Sequence, residues 1–202
     1  MPFLLGLTGN IGCGKSTIGQ HLSRRYAAEY IDADRLVHAL YAPGSPETHA
    51  IAQRFGPELL QPDGAIDRRR LGDIVLRDPD AMRQLEALLD PGVLQAISDR
   101  LRQTTAAVVV LDAIRLIESG LGQRCDTIWV VVCDQSAQLE RLLSRGFTPE
   151  QARVRITAQT PAESKVAHAD VVITNNGSLE ELLAQVDRAW NSTVAQVLGE
   201  SL

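Results

Sequence analysis

The chain has 202 residues, 45% apolar and 22% charged, with 15 Gly and 9 Pro. That profile fits one ordinary globular domain and excludes a disulfide-stapled miniprotein, a collagenous chain and a disordered one. Net charge is −5, the wrong sign for a general nucleic-acid or anionic-membrane binder, and no apolar run approaches the roughly 18 residues of a membrane span. With no Lys or Arg before Lys15 and no signal-peptide layout, the expectation is a cytoplasmic protein that engages neither nucleic acid nor membrane.

In chain order, Phe3 to Thr8 is a short apolar run that reads as a strand, followed by a helical pattern from Lys15 to Ala28 and a short strand at 30–32. Residues 40–103 then lose the strand-like runs. Pro43-Gly44-Ser45-Pro46 and the stretch 57–64 read as loop, and 67–77, 79–90 and 91–103 read as helices, with Asp78-Pro79 and Asp90-Pro91 as cap and first-turn pairs. Strand runs resume at 106–111, 127–133 and 170–174, separated by helical patterns at 136–145 and 148–167 and followed by one at 178–197. Ser178 with Glu181 three residues on is a capping box. Runs apolar on both faces, alternating with helices, predict an α/β fold: a parallel sheet of about five strands flanked by helices, with ligands beyond the carboxyl ends of the strands. The core is expected from 1–39, 104–147 and 168–202, with a helical insertion at 40–103 and a short helical lid at 148–167.

Residues 9–16 read Gly-Asn-Ile-Gly-Cys-Gly-Lys-Ser, a complete G-x-x-x-x-G-K-S placed between a strand and a helix. Gly9, Gly12 and Gly14 let the chain wrap with its amides inward, so that they and the helix N-terminus hold a polyphosphate. Lys15 would lie on the β and γ phosphates, Ser16 would give its hydroxyl to Mg²⁺, and Thr17 would add an α-phosphate contact.

The chain's two lysines, Lys15 and Lys165, supply no base-reading N-K-x-D, which disfavours a GTPase. The strand near 107–111 closes in Asp112-Ala113 rather than Asp-Glu, which disfavours a motor ATPase. A small-molecule kinase fits better. It needs a carboxylate to take the acceptor's proton, and Asp32 or Asp34, just beyond the second strand, is the candidate, helix capping being the competing use of an Asp there. Arg141, Arg145, Arg153 and Arg155 are candidate cations for the developing phosphoryl charge. The run 68–70 is a solvated helix face or an anion site. Cys13, Cys125 and Cys133 have no C-x-x-C spacing and read as reduced thiols, and the scattered His21, His38, His49 and His168 encode no metal site. Cys13, at a helix N-terminus, is a candidate for a lowered thiol pKa.

Segments 7–17 (LTGNIGCGKST), 30–40 (YIDADRLVHAL), 43–46 (PGSP), 66–75 (IDRRRLGDIV), 112–121 (DAIRLIESGL), 138–146 (QLERLLSRG) and 168–178 (HADVVITNNGS), with Gln159 and Lys165 between them, resemble the dephospho-coenzyme A kinases nearly end to end. The resemblance implies ATP- and Mg²⁺-dependent phosphorylation of the ribose 3′-hydroxyl of dephospho-coenzyme A by a monomer or weak homo-oligomer. It implies Asp34 as general base and Lys15 and Arg141 as further catalytic residues. ATP would be held by Thr8, Gly9, Asn10, Ile11, Gly12, Cys13, Gly14, Lys15, Ser16 and Thr17, with Asn175 and Gly177 near the adenine. The acceptor would meet Asp34, Arg68 and the insertion. Two departures fall on the acceptor side: Asp90 in place of the family's His before Pro91, and Ile114-Arg115-Leu116 in place of Pro-Leu-Leu before Glu118. They leave open a kinase of another nucleoside or nucleotide, or a non-catalytic nucleotide-binding paralogue.

Overall fold

A computed structural model describes residues 1–199. The predicted strands form one parallel sheet: β1 (Phe3–Gly9), β2 (Glu29–Asp32), β3 (Val108–Asp112), β4 (Thr127–Val132) and β5 (Val171–Thr174), in the order β2-β3-β1-β4-β5. The central strands β1 and β3 are almost wholly buried, as their unbroken apolar runs require. Alternate residues Leu5, Leu7, Val108, Val110, Trp129 and Val131 form one side of the main core.

The helices in chain order are α1 (Lys15–Tyr26), α2 (Ala33–Leu40), α3 (Pro46–Phe55), α4 (Arg68–Val75), α5 (Pro79–Gln103), α6 (Gln135–Ser144), α7 (Pro149–Thr157), α8 (Ala162–Val166) and α9 (Leu179–Leu198). Helix α1 contributes Ile18 and Leu22 to the main core, and α9 contributes Leu182, Val186, Trp190 and Val194. Those spacings of four place each set on one helix face. The capping box at Ser178 and Glu181 forms as expected, and Thr148 with Gln151 makes a second one at the start of α7.

The chain divides into two compact units, 1–32 with 104–202, and 33–103. The second unit is helical, as expected, and has its own core of Ile51, Leu59, Ile66, Leu71, Val75, Leu85 and Leu89. Two local readings change there. Helix α3 (Pro46–Phe55) occupies a stretch to which the sequence reading assigned no element beyond the loop at 43–46. Ser45 caps it by accepting from the Thr48 amide at 3.0 Å, and Pro46 stands at its first position, so Ser45-Pro46 was a helix start rather than loop punctuation.

The second change concerns Asp90, which lies inside a helix rather than at the start of one: α5 runs unbroken through Pro91. Asp78 does cap α5, accepting from the Asp80 and Ala81 amides at 2.8 and 3.2 Å. The buried row Leu85, Leu89, Val93 and Ile97 continues past the proline, and its packing holds the helix together across the one amide Pro91 lacks.

Candidate functional site

The phosphate loop leaves the carboxyl end of β1 in a form only glycine accommodates. Gly9, Gly12 and Gly14 have φ of 144°, 78° and 101°. A Cβ on Gly9 would strike the Val131 carbonyl, and one on Gly14 would strike the Asn175 amide nitrogen. No side chain caps α1 at Gly14, and the helix N-terminus there is an end that favours an anion. Lys15 is 8% exposed, and its Nζ donates back across the loop to the Gly9 carbonyl at 2.9 Å. Ser16 and Thr17, the next two residues, are exposed.

Distant segments hold the loop's shape. Arg141 of α6 donates to the Gly12 carbonyl at 3.0 Å and to the Asn175 carbonyl at 2.9 Å, tying the loop to the end of β5. Asn175 is 7% exposed and donates to the Cys13 carbonyl at 2.7 Å. Gln138 donates to the Ile11 carbonyl at 3.0 Å, Gln159 accepts from the Ile11 amide at 2.8 Å, and Asn10 donates to the Thr160 carbonyl at 3.1 Å. Four of the expected site residues, Gly12, Cys13, Arg141 and Asn175, therefore belong to one hydrogen-bonded unit. Gly177 is exposed just before α9, three positions after β5. Thr8 is fully buried and spends its hydroxyl on the Ile114 carbonyl at 3.1 Å. Among the arginines considered for the phosphoryl group, Arg155 is engaged locally, donating to the Gln151 carbonyl at 3.1 Å and lying 4.7 Å over the Phe147 ring.

Two groups that the sequence reading named without giving them a site role stand beside the loop. Asp112 closes β3 next to β1, is 5% exposed, and pairs in register with Leu7 and with Asp32. Tyr30 donates its hydroxyl to Asp112 at 2.7 Å, and burial together with the Asp112 charge pushes the Tyr30 phenol well above its ordinary value. The signal was a lone carboxylate ending a buried strand. Lys165 is the other: 1% exposed, it donates to the Ile114 carbonyl at 2.6 Å and to Glu118 at 2.5 Å, while Thr160 also donates to Glu118. Burial raises the Glu118 carboxyl, but the bonds from Lys165 and Thr160 and the lysine's charge outweigh it and hold it below its usual range.

In the second unit, Asp34 is exposed in the first turn of α2, so Asp32, not Asp34, immediately precedes the helix. Arg68, the first residue of α4, donates to His38 Nε2 at 2.6 Å. The Tyr41 phenol is raised by burial, lowered by the nearby Arg68 charge and raised by Asp34. Asp34 and Arg68, both expected on the acceptor side, thus share one charged cluster. Asp90 is half-buried within α5.

A parallel five-stranded sheet with a glycine-lined loop, buried lysine and exposed serine at its carboxyl edge defines a P-loop kinase of small molecules. Its fold is shared with shikimate kinase from Acinetobacter baumannii, at a TM-score of 0.56 and 17% identity over 100% of this chain and 96% of that one. The family model for dephospho-CoA kinase matches residues 3–181, and this chain belongs to that family. It is 42% identical to the dephospho-CoA kinase of Symbiobacterium thermophilum over 98% of this chain and 84% of the relative. To that of Trichormus variabilis it is 40% identical over 93% and 96%. The dephospho-CoA kinase structure from Campylobacter jejuni superposes with a TM-score of 0.66 at 25% identity, covering 95% of this chain and 97% of that one.

Proposed function

We propose that this protein transfers the γ phosphoryl of ATP to the ribose 3′-hydroxyl of dephospho-coenzyme A, yielding coenzyme A and ADP. The observation that carries the reading is a complete phosphate loop inside a family match that spans 3–181. In this reading the glycine-lined loop between Gly9 and Lys15, with the N-terminus of α1, cradles the phosphates. Lys15, held across the loop, supplies the positive charge for the β and γ oxygens.

The donor set suits a hard cation: the Ser16 hydroxyl with Asp112 and Asp32 at the same sheet edge offers oxygen ligands. Among the described residues no group of three or more His, Cys, Asp or Glu is placed to hold a metal alone, which fits Mg²⁺ shared with substrate phosphates. Mg²⁺ there would neutralise phosphoryl charge. Arg141 rigidifies the loop through Gly12 and Asn175, and Gly177 lies near the adenine beyond β5. Asp34 takes the proton of the attacking hydroxyl, and Arg68 with Asp90 faces the acceptor. The protein works in the cytoplasm as a monomer or weak homo-oligomer; no described helix is long and apolar enough to cross a membrane.

The departure at Ile114-Arg115 bears on whether the acceptor has changed. What the fold takes from Ile114 is its carbonyl, which accepts from Thr8 and Lys165, and any residue supplies a carbonyl. This favours the family's acceptor over a different nucleoside or nucleotide. The test is incubation with Mg-ATP and dephospho-coenzyme A, followed by mass analysis of the acceptor. Coenzyme A is the expected product; a folded protein that binds ATP and forms none refutes the proposal, and faster transfer to another nucleotide reassigns the acceptor.

A further inference from the structure

Cys13 lies inside the phosphate loop, and Cys133 is the first residue after β4. Parallel pairing puts Gly9 opposite Val131, so the chain leaving β1 and the chain leaving β4 emerge side by side at the sheet's carboxyl edge. There the two thiols meet, with Cys133 Sγ 3.2 Å from Cys13 Sγ and 3.9 Å from the Gly12 carbonyl. Gln138 Nε2 donates to Cys13 Sγ at 3.4 Å. We propose that Cys13 and Cys133 are a redox modification site: a hydroperoxide converts them to a disulfide that disables the phosphate loop.

The surroundings support Cys13 as the attacking sulfur. Hydrogen bonding from Cys133 and Gln138 and the Lys15 charge outweigh burial and lower its thiol, while the same contact and burial push Cys133 up. Cys125 is the internal contrast. It faces the Leu121 carbonyl at 3.6 Å and is pushed by burial up to about 12.

The step balances. The Cys13 thiolate attacks one peroxide oxygen, forming S–O and breaking O–O; the departing hydroxide takes the proton Cys13 had released and leaves as water. Cys133 then attacks the sulfenic sulfur, forming S–S and breaking S–O, and its own proton leaves with the hydroxide as a second water. Two thiols are oxidised by two electrons, and one peroxide is reduced. Bonding at about 2.05 Å requires the sulfurs to close by roughly 1.1 Å. Closing that gap moves the loop around Cys13 against the bonds that Arg141 and Asn175 make to it, whereas Cys133 is fixed to a strand end. Pulling Cys13 toward β4 turns its neighbouring amides out of the cradle.

The consequence for nucleotide rests on the loop being the ATP site; the disulfide itself does not. The full-length protein is treated with hydrogen peroxide, with and without Mg-ATP, then analysed by intact mass and a non-reducing peptide map, and its ATP affinity is measured before and after dithiothreitol. The expected product is two hydrogens lighter, with Cys13 linked to Cys133, at least tenfold weaker for ATP, and restored by the reductant. Mg-ATP should slow the oxidation, because an anion over the loop opposes a thiolate there.

Cys133→Ser should keep full activity, form no disulfide and leave Cys13 as a sulfenic acid that dimedone traps. Cys13 and Cys133 both still alkylatable after a dose that oxidises free glutathione, or a linkage through Cys125, overturns the site. A Cys13–Cys133 disulfide with unchanged ATP affinity overturns the switch. A protein that forms the linkage but never phosphorylates dephospho-coenzyme A would count against the proposed function alone.

Discussion

Replacing Lys165 with Met tests the clamp that holds residues 159–165 beside the phosphate loop. Its Nζ, in a side chain 2% exposed, makes two short bonds, to the Ile114 carbonyl and to Glu118. Met fills much the same volume, so the loss is one of polar pairing rather than of packing. Hydrogen bonds to charged groups contribute about 1.5–3 kcal/mol each, and a stranded buried partner costs about 1–3 kcal/mol. Breaking a fully buried pair costs about 3–5 kcal/mol. Glu118 is 28% exposed and regains water, which places Lys165→Met nearer the low end, at about 2–3 kcal/mol. For a chain of this size each kcal/mol moves the midpoint by about 2–4 °C, so thermal melting at pH 7 should fall by about 4–12 °C.

The sign of the pH dependence follows from Glu118, whose folded carboxyl lies below its ordinary 4.5. Its contribution is complete above that value and disappears as pH falls through the folded titration. The melting gap between parent and variant should therefore be widest near neutrality and shrink on acidification. Melting within about 1 °C of the parent at pH 7, or a gap that does not shrink with acid, would refute the clamp.

Two further outcomes are expected. Asp34→Asn should lower kcat by on the order of 10² or more while leaving ATP affinity nearly unchanged, as for a general base; near-normal turnover in a coupled ADP assay would remove Asp34 from that role. Gly14→Ala puts a Cβ onto the Asn175 amide at a φ of 101°, so titration calorimetry should show ATP binding weakened by at least tenfold in a protein that still folds, and unchanged binding would mean the loop adapts.

What the sequence by itself determined here is local or periodic. Strand runs at 3–8 and 106–111, the helix face of α9, the Ser178–Glu181 box and the loop from Gly9 to Ser16 are legible because each involves neighbours within a few residues, whose spacing encodes burial, capping or wrapping. The same locality explains the errors at Ser45-Pro46 and Asp90-Pro91. Each pair is compatible with a turn and with a helix, and only the buried apolar row of Leu85, Leu89, Val93 and Ile97 decides that α5 continues.

Tertiary structure alone decided what supports the phosphate loop. Arg141, Gln138, Gln159 and Asn175 reach it from more than 120 residues away, Asp112 arrives through strand order, and Cys133 meets Cys13 because β4 lies beside β1. Parallel strands joined by helical crossovers bring remote residues together at one edge, and no periodicity along the chain records which of them will meet.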